Sequence, residues 1–274
     1  MPDAGTARRE DSTNLVGAST VPPPYLRPHW DVLAATNHQP AGQIGRRPAA
    51  WVQHHGLDNV PNGAGLPHDL LDRHAVRVIC RDPAYPALFG YICAMAWGSQ
   101  DAGPAGPGHV VDAWRENATI AAHLAVIRAG GLTRCAAYNL FLGVGNVPGL
   151  GPSYWTKLLY FFSPNDGFYI MDQWTGKSID FLTGTRVVRM NGNAVSTQNR
   201  CGNYQAYCEE VDAIANQLGV RGDQAEEMLM SKGGSKPWPW RDHVRVNWPA
   251  YAPMGRYSAA AMHEIYPHIP VNCF

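Results

Sequence analysis

Two stretches decide the fold: Val147-Pro148-Gly149-Leu150-Gly151-Pro152-Ser153 and, farther along, Tyr169-Ile170-Met171-Asp172-Gln173-Trp174. In the first, two glycines flank one aliphatic residue and a proline opens the next segment. Glycine admits backbone conformations and close approaches that a Cβ blocks, and a proline in the first turn of a helix leaves the free N–H groups of the helix start pointing outward. Such a start binds a phosphate oxygen, a contact that positions a protein without reading sequence. Gly149, Gly151 and Ser153 are therefore candidate phosphate-backbone contacts. Taken alone, a turn of this composition also serves as an ordinary tight connector between helices.

The neighbouring residues make the turn informative. Tyr154, Trp155, Leu158, Leu159, Phe161 and Phe162 give the next segment, Pro152 to Phe162, an apolar helical face. A turn at Pro164-Asn165-Asp166-Gly167 comes next, and Tyr169-Ile170-Met171 then leads directly into Asp172. An acid after an apolar run and at a helix start is placed to cap that helix and to face a cleft. With a helix over Thr133 to Leu142 before the glycines, the middle of the chain reads helix, hairpin, helix, loop, helix.

The stretch from Val147 to Asp172 resembles the helix-hairpin-helix motif, with its Gly/Pro-rich loop and aspartate, of a superfamily of DNA base-excision glycosylases. The interval from Gly151 to Asp172 matches the 8-oxoguanine glycosylase branch. The phrases Gly-Pro-Ser-Tyr-Trp-Thr-Lys and Met-Asp-Gln-Trp-Thr-Gly-Lys are similar to prokaryotic proteins of that fold, a group that includes anti-phage glycosylases acting on glucosylated hydroxymethylcytosine. The specific match covers roughly residues 133 to 182. It implies a mostly α protein with two helical subdomains flanking a cleft, acting on double-stranded DNA that carries a modified base. It also implies a nucleotide swung out of the stack and an N-glycosidic bond broken as positive charge grows on the sugar. Asp172 is then the catalytic carboxylate that stabilises this charge and orients water; the alternative is that it only caps its helix.

The sequence departs from the 8-oxoguanine branch at Ser153, where bifunctional members carry an amine nucleophile. Without that amine no Schiff base forms there, so the resemblance implies a monofunctional enzyme that leaves an abasic site. Lys157 lies four residues on, along the same helical face. It is a second catalytic candidate, as pocket contact or displaced nucleophile, unless it merely snorkels to solvent. Trp97, Gln100 and Trp174 are candidates to stack on or hydrogen-bond an everted base, although aromatics more often belong to a core.

Farther out, residues 1–45, with Pro22-Pro23-Pro24, lack a sustained period and read as an irregular arm. Residues 46–230 form the helical body and 231–274 a Pro/Trp-rich basic segment. Within the body, helices are expected from about His68 to Pro83, over Ala87 to Trp97, as one unbroken helix from Val110 to Ala129, and over Tyr204 to Leu218 and Asp223 to Met230. A β-like pair with an Asn191-Gly192 turn lies around Arg186 to Val195.

The chain has 274 residues, 45% of them hydrophobic, and a formal net charge of zero, which excludes a protein that coats nucleic acid indiscriminately. Locally, Arg128 to Arg189 is net basic. The stretch Lys232 to Arg256 mixes cations with Trp238, Trp240, Trp248 and Tyr251, a composition suited to phosphates and stacked bases. Glu209 to Glu227 reads as an acidic solvated face. The six cysteines are scattered, so reduced thiols are expected rather than a disulfide framework, with no metal cluster and no cofactor. The eleven histidines offer no ligand-spaced pair. With no long apolar run, a soluble cytoplasmic protein, monomeric and without membrane contact, is expected. Two rival readings remain: a non-catalytic DNA-binding module that uses the hairpin alone, and a structural protein whose glycines only pack helices.

Overall fold

The computed structural model describes residues 25–61, 65–98, 108–251 and 257–274. The architecture is mostly α, as the sequence pattern predicts. In chain order the helices are α1 (Arg27–Ala34), α2 (Pro48–His55), α3 (Arg73–Arg81), α4 (Ala87–Gly98), α5 (Gly108–Arg115), α6 (Asn117–Ala129), α7 (Arg134–Asn139), α8 (Pro152–Phe162) and α9 (Gln173–Thr183). The hairpin β1 (Met190–Asn191) and β2 (Ala194–Val195) comes next, then α10 (Cys201–Leu218), α11 (Gly222–Met230), α12 (Pro239–Tyr251) and α13 (Ala259–Ile265). Among the described residues no helix is long and apolar enough to cross a membrane.

The strongest periodic segments fold where the pattern places them. In α4 the run Phe89 to Trp97 is buried on every side, and the helix packs against α2, α3, α6 and α8. The β pair is antiparallel, with Met190 opposite Val195 and Asn191 opposite Ala194, and Gly192 in the turn has φ +58°. The third helix starts later than expected because the Asp72 side chain accepts from Ala75 N at 2.7 Å, capping α3 five residues after His68.

Four expectations are corrected. The single helix over Val110 to Ala129 breaks at Glu116 (φ −96°, ψ 26°) into α5 and α6. Trp114, on α5, donates to Asp58 O at 2.9 Å, whereas Ile120, Leu124 and Ile127 bury the face of α6. The arm is not irregular throughout: α1 docks on α9 and α12 through the fully buried Leu33, anchored by Leu26 N donating to Leu182 O at 2.9 Å. Eight residues are too few to show a period. The remainder of the arm, residues 1–24, lies outside the described residues. The acidic stretch is not a solvated face, because Glu210 is buried and accepts from Tyr25 and Tyr266 hydroxyls at 2.9 and 2.6 Å, and buried Glu226 pairs with Arg73.

The fourth correction concerns the thiols. Cys135 on α7 and Cys201 at the start of α10 form a disulfide with their Cα atoms 4.6 Å apart, a spacing typical of such bonds. The two cysteines are 66 residues apart, and a closed loop of that length contributes about 4 kcal/mol in the chain-entropy account. That loop contains the glycine turn, α8, Asp172, α9 and the β hairpin. A pairing this distant in sequence depends on the fold bringing two helix starts together.

Candidate active site

The glycine turn joins α7 to α8. Thr133 caps α7 by accepting from Ala136 N at 3.1 Å, and a short 3-10 turn at Gly143–Gly145 leads into the Val147–Ser153 stretch. The two glycines play different parts. Gly149 has φ +77°, and a Cβ there would meet His109 O at 2.1 Å, so both conformation and space demand glycine. Gly151 is extended (φ −86°, ψ 177°), and a Cβ would meet nothing within 4 Å. The expectation that both glycines are needed for backbone conformation therefore holds for Gly149 alone. At Gly151 the chain faces open space at the start of α8, no side chain caps the helix, and Pro152 sits in its first turn. Half-buried Ser153 lies next on that turn. Val144, in the 3-10 turn, is fully exposed.

Asp172 is the N-cap of α9. Its Oδ1 accepts from Trp174 N at 2.7 Å and Thr175 N at 3.0 Å, and Asp172 N donates to Thr175 Oγ1 at 2.9 Å, which completes a capping box. These backbone bonds fall on Oδ1 and leave Oδ2 out of the cap. The extended segment before Asp172 is held from three sides. Thr156 on α8 donates to Pro152 O at 2.7 Å and accepts from Met171 N at 3.1 Å, tying the hairpin's second helix to the residue before the acid. Tyr207 and Thr175 both donate to Ile170 O, at 2.7 and 2.9 Å, and Tyr204 donates to Tyr169 O at 3.0 Å. The sequence reading missed Thr156, Thr175, Tyr204 and Tyr207. Only Thr175 left a local signal, as the third residue after a capping acid.

Three cations lie within electrostatic reach of Asp172. Lys157 is buried on α8, its ammonium 5.0 Å from the Tyr154 ring centroid, and its stem fills the space left by Gly98. Burial lowers the Lys157 pKa, against the opposing pull of Asp172 and Glu226. Burial also lowers Lys177, with Asp172 pulling the other way, and Lys177 donates to Asn193 Oδ1 at 2.8 Å. Arg241 on α12 is pushed down to about 10 by burial, opposed by Asp172 and Asp242, and donates to Met230 O. Glu226, fully buried on α11, is pushed up to about 7 by burial; Arg73 opposes this, and Glu227 and Asp172 add to it. The site is thus a cluster of buried charges, Lys157, Lys177, Glu226 and Arg241, around the half-buried Asp172.

The base-pocket candidates divide. Half-buried Trp174 holds cations, with Arg241 4.3 Å and Lys177 5.1 Å from its ring centroid. Trp97 belongs to the core, edge-on to Phe161 at 5.2 Å, and its buried Nε1 has no acceptor among the described residues. Gln100 lies outside the described residues.

The expected basic footprints are largely spent internally. Arg128 donates to Cys80 O and Tyr85 O, Arg134 pairs with Asp212 at 2.6 Å, and Arg189 donates to Phe274 O. The acid that neutralises Arg134, Asp212, lies outside the stretch Arg128 to Arg189. In the Trp-rich segment Trp240, Trp248 and Arg241 are buried, while Lys232, Lys236 and Arg245 are exposed.

Searches against curated proteins and solved structures return no match. The family model described as "Putative 8-oxoguanine DNA glycosylase OGG-like protein" matches residues 36–230, a span that contains α2 to α11, the glycine turn and Asp172. With most of its length under that match, the chain belongs to the OGG-like DNA glycosylase family.

Proposed function

We propose that this protein is a monofunctional DNA glycosylase that flips a modified base out of duplex DNA and hydrolyses its N-glycosidic bond. The observation that carries the reading is the setting of Asp172, whose Oδ1 is committed to the α9 cap while Oδ2 stays outside it. A carboxylate fixed in this way stabilises positive charge on a deoxyribose without having to reorganise. The α8 start, with Pro152 in its first turn and no side-chain cap, supplies the phosphate contact that holds the strand. Ser153 offers no amine in that first turn, so water completes the reaction and an abasic site remains.

The proposed substrate is a hypermodified cytosine, glucosylated hydroxymethylcytosine of phage DNA, which makes the protein an antiviral defence enzyme. 8-Oxoguanine, the base named in the family description, is the alternative and would make it a repair enzyme. Lys157 supports a second reading of the chemistry. Buried, with its pKa lowered by burial and Asp172 within electrostatic reach, it offers an amine that, once it gives up its proton, can attack the sugar carbon and form a Schiff base.

The test compares base release from duplexes carrying glucosylated hydroxymethylcytosine, 8-oxoguanine or only ordinary bases, with wild type and Asp172→Asn, before and after mild alkali. Release from one modified duplex that needs both Asp172 and alkali supports the monofunctional reading. Scission without alkali, trapped by borohydride and lost in Lys157→Met, supports the second. Tight, salt-dependent binding without release from any duplex would make the chain a binding module.

A further inference from the structure

Cys273 is a third sulfur beside the disulfide. The Sγ atoms of Cys135, Cys201 and Cys273 all lie within 4.8 Å of one another, although they come from α7, α10 and the 3-10 turn Val271–Cys273. A separate observation places Cys273 beside the start of α10, next to Cys201. The turn is packed directly onto the first residues of α10, where a Cβ on Gly202 would meet Cys273 O at 2.6 Å and Cys273 Cβ at 3.1 Å. The turn is anchored there by Phe274, which is buried and whose O accepts from Arg189 and, at 3.2 Å, from the Tyr257 hydroxyl. The Cys273 side chain is half-buried, neither sealed in the core as Cys80, Cys93 and Cys208 are nor remote from the bond.

We propose that Cys273 is a resolving thiol that exchanges with the Cys135–Cys201 disulfide. The Cys273 thiolate attacks Cys201 Sγ, the Cys201–Cys273 bond forms, the Cys135–Cys201 bond breaks, and Cys135 leaves as a thiolate with the electron pair. One disulfide and one thiolate stand on each side, so no outside oxidant or reductant is consumed. Cys201 opens the 18-residue α10, whose N-terminal dipole favours the negative charge spread over the three sulfurs during exchange. The consequence depends on which loop each bond closes. Cys135–Cys201 encloses the glycine turn, α8 and Asp172, whereas Cys201–Cys273 encloses none of them. Exchange therefore moves the covalent tie off the catalytic segment and onto the Val271–Cys273 turn. α7, which packs on α10 and α8, is then held by non-covalent contacts alone.

The experiment is disulfide mapping of the folded full-length protein after equilibration across a series of glutathione redox ratios, with acid quench, alkylation and mass analysis of unreduced digests. Wild type is expected to give both Cys135–Cys201 and Cys201–Cys273 linked peptides, and Cys273→Ser only the first. Hydrogen exchange of the amides between 136 and 172 is expected to be faster in the fraction carrying Cys201–Cys273. Cys135–Cys201 as the sole linked pair in wild type, or three free thiols at every ratio, overturns the proposal. So does uptake of one zinc ion per chain by the reduced protein with all three thiols shielded from alkylation, which would assign the cluster to a metal.

Discussion

The Lys157 side chain occupies the space that Gly98 leaves by having no Cβ: a methyl built on Gly98 would lie 2.7 Å from both Cδ and Cε of Lys157. The last residue of α4 thereby sets where the buried amine of α8 sits. Because the clash is with the far end of a flexible side chain, Gly98→Ala should move the amine rather than the backbone. The ammonium should shift toward solvent, and its pKa should rise from its lowered value toward that of an ordinary lysine. An NMR titration of the Lys157 amine in both proteins checks this, and an unchanged titration would show that the amine stays in place.

At Asp172 the cap and the proposed chemistry can be separated. Asparagine caps a helix about as well as aspartate, so Asp172→Asn should keep the melting temperature and DNA affinity close to wild type. Base release should fall by about 100-fold or more, the scale on which a positioned charge acts. Asp172→Ala should lose activity and about 1 kcal/mol of stability as well. Thermal melts and single-turnover kinetics on the same preparations distinguish the two effects.

The two glycines of the turn should respond differently. Gly149→Ala forces a positive φ on alanine and drives its methyl into His109 O, so a loss of about 1–3 kcal/mol or more is expected from denaturant titration. Gly151→Ala meets neither obstacle and should melt within about 0.5 kcal/mol of wild type. If a phosphate approaches the start of α8 there, the same methyl should weaken duplex binding, read as a higher Kd at fixed salt.

Glu226 should give stability a pH slope. Its folded pKa is raised to about 7 from an ordinary value of 4.5, so between these values the folded state holds more protons than the unfolded one. Its contribution is fully present below 4.5 and lost as pH rises through about 7. Glu226→Gln removes the titration while leaving Arg73 near Glu227, 3.5 Å away. The melting temperature of the variant relative to wild type should therefore climb between about pH 5 and pH 8; a constant difference would count against a titrating Glu226.

Much of the helical order was legible in the sequence because its signals are local. The buried run of α4, the proline-opened α8, Asp172 at the mouth of α9 and the Asn191-Gly192 turn each carry their pattern within a few residues. The break at Glu116 was not legible, because an apolar stripe records which residues are buried, as Trp114 and Ile120 both are, but not that the backbone between them leaves the helical conformation. The short α1 left no period to read.

The sequence by itself determined the hairpin, the acid that comes after it and the absence of an amine at Ser153, since all three are fixed by chain order. Tertiary structure alone decided that Lys157 is buried rather than snorkelling, that Trp97 is core, and that Glu226 and Arg241 lie within electrostatic reach of Asp172. It alone decided that Cys135, Cys201 and Cys273 meet. The physical reason is common to them all: burial, field and sulfur-to-sulfur distance are set by residues far apart in the chain, brought together only when α4, α8, α10, α11 and α12 pack.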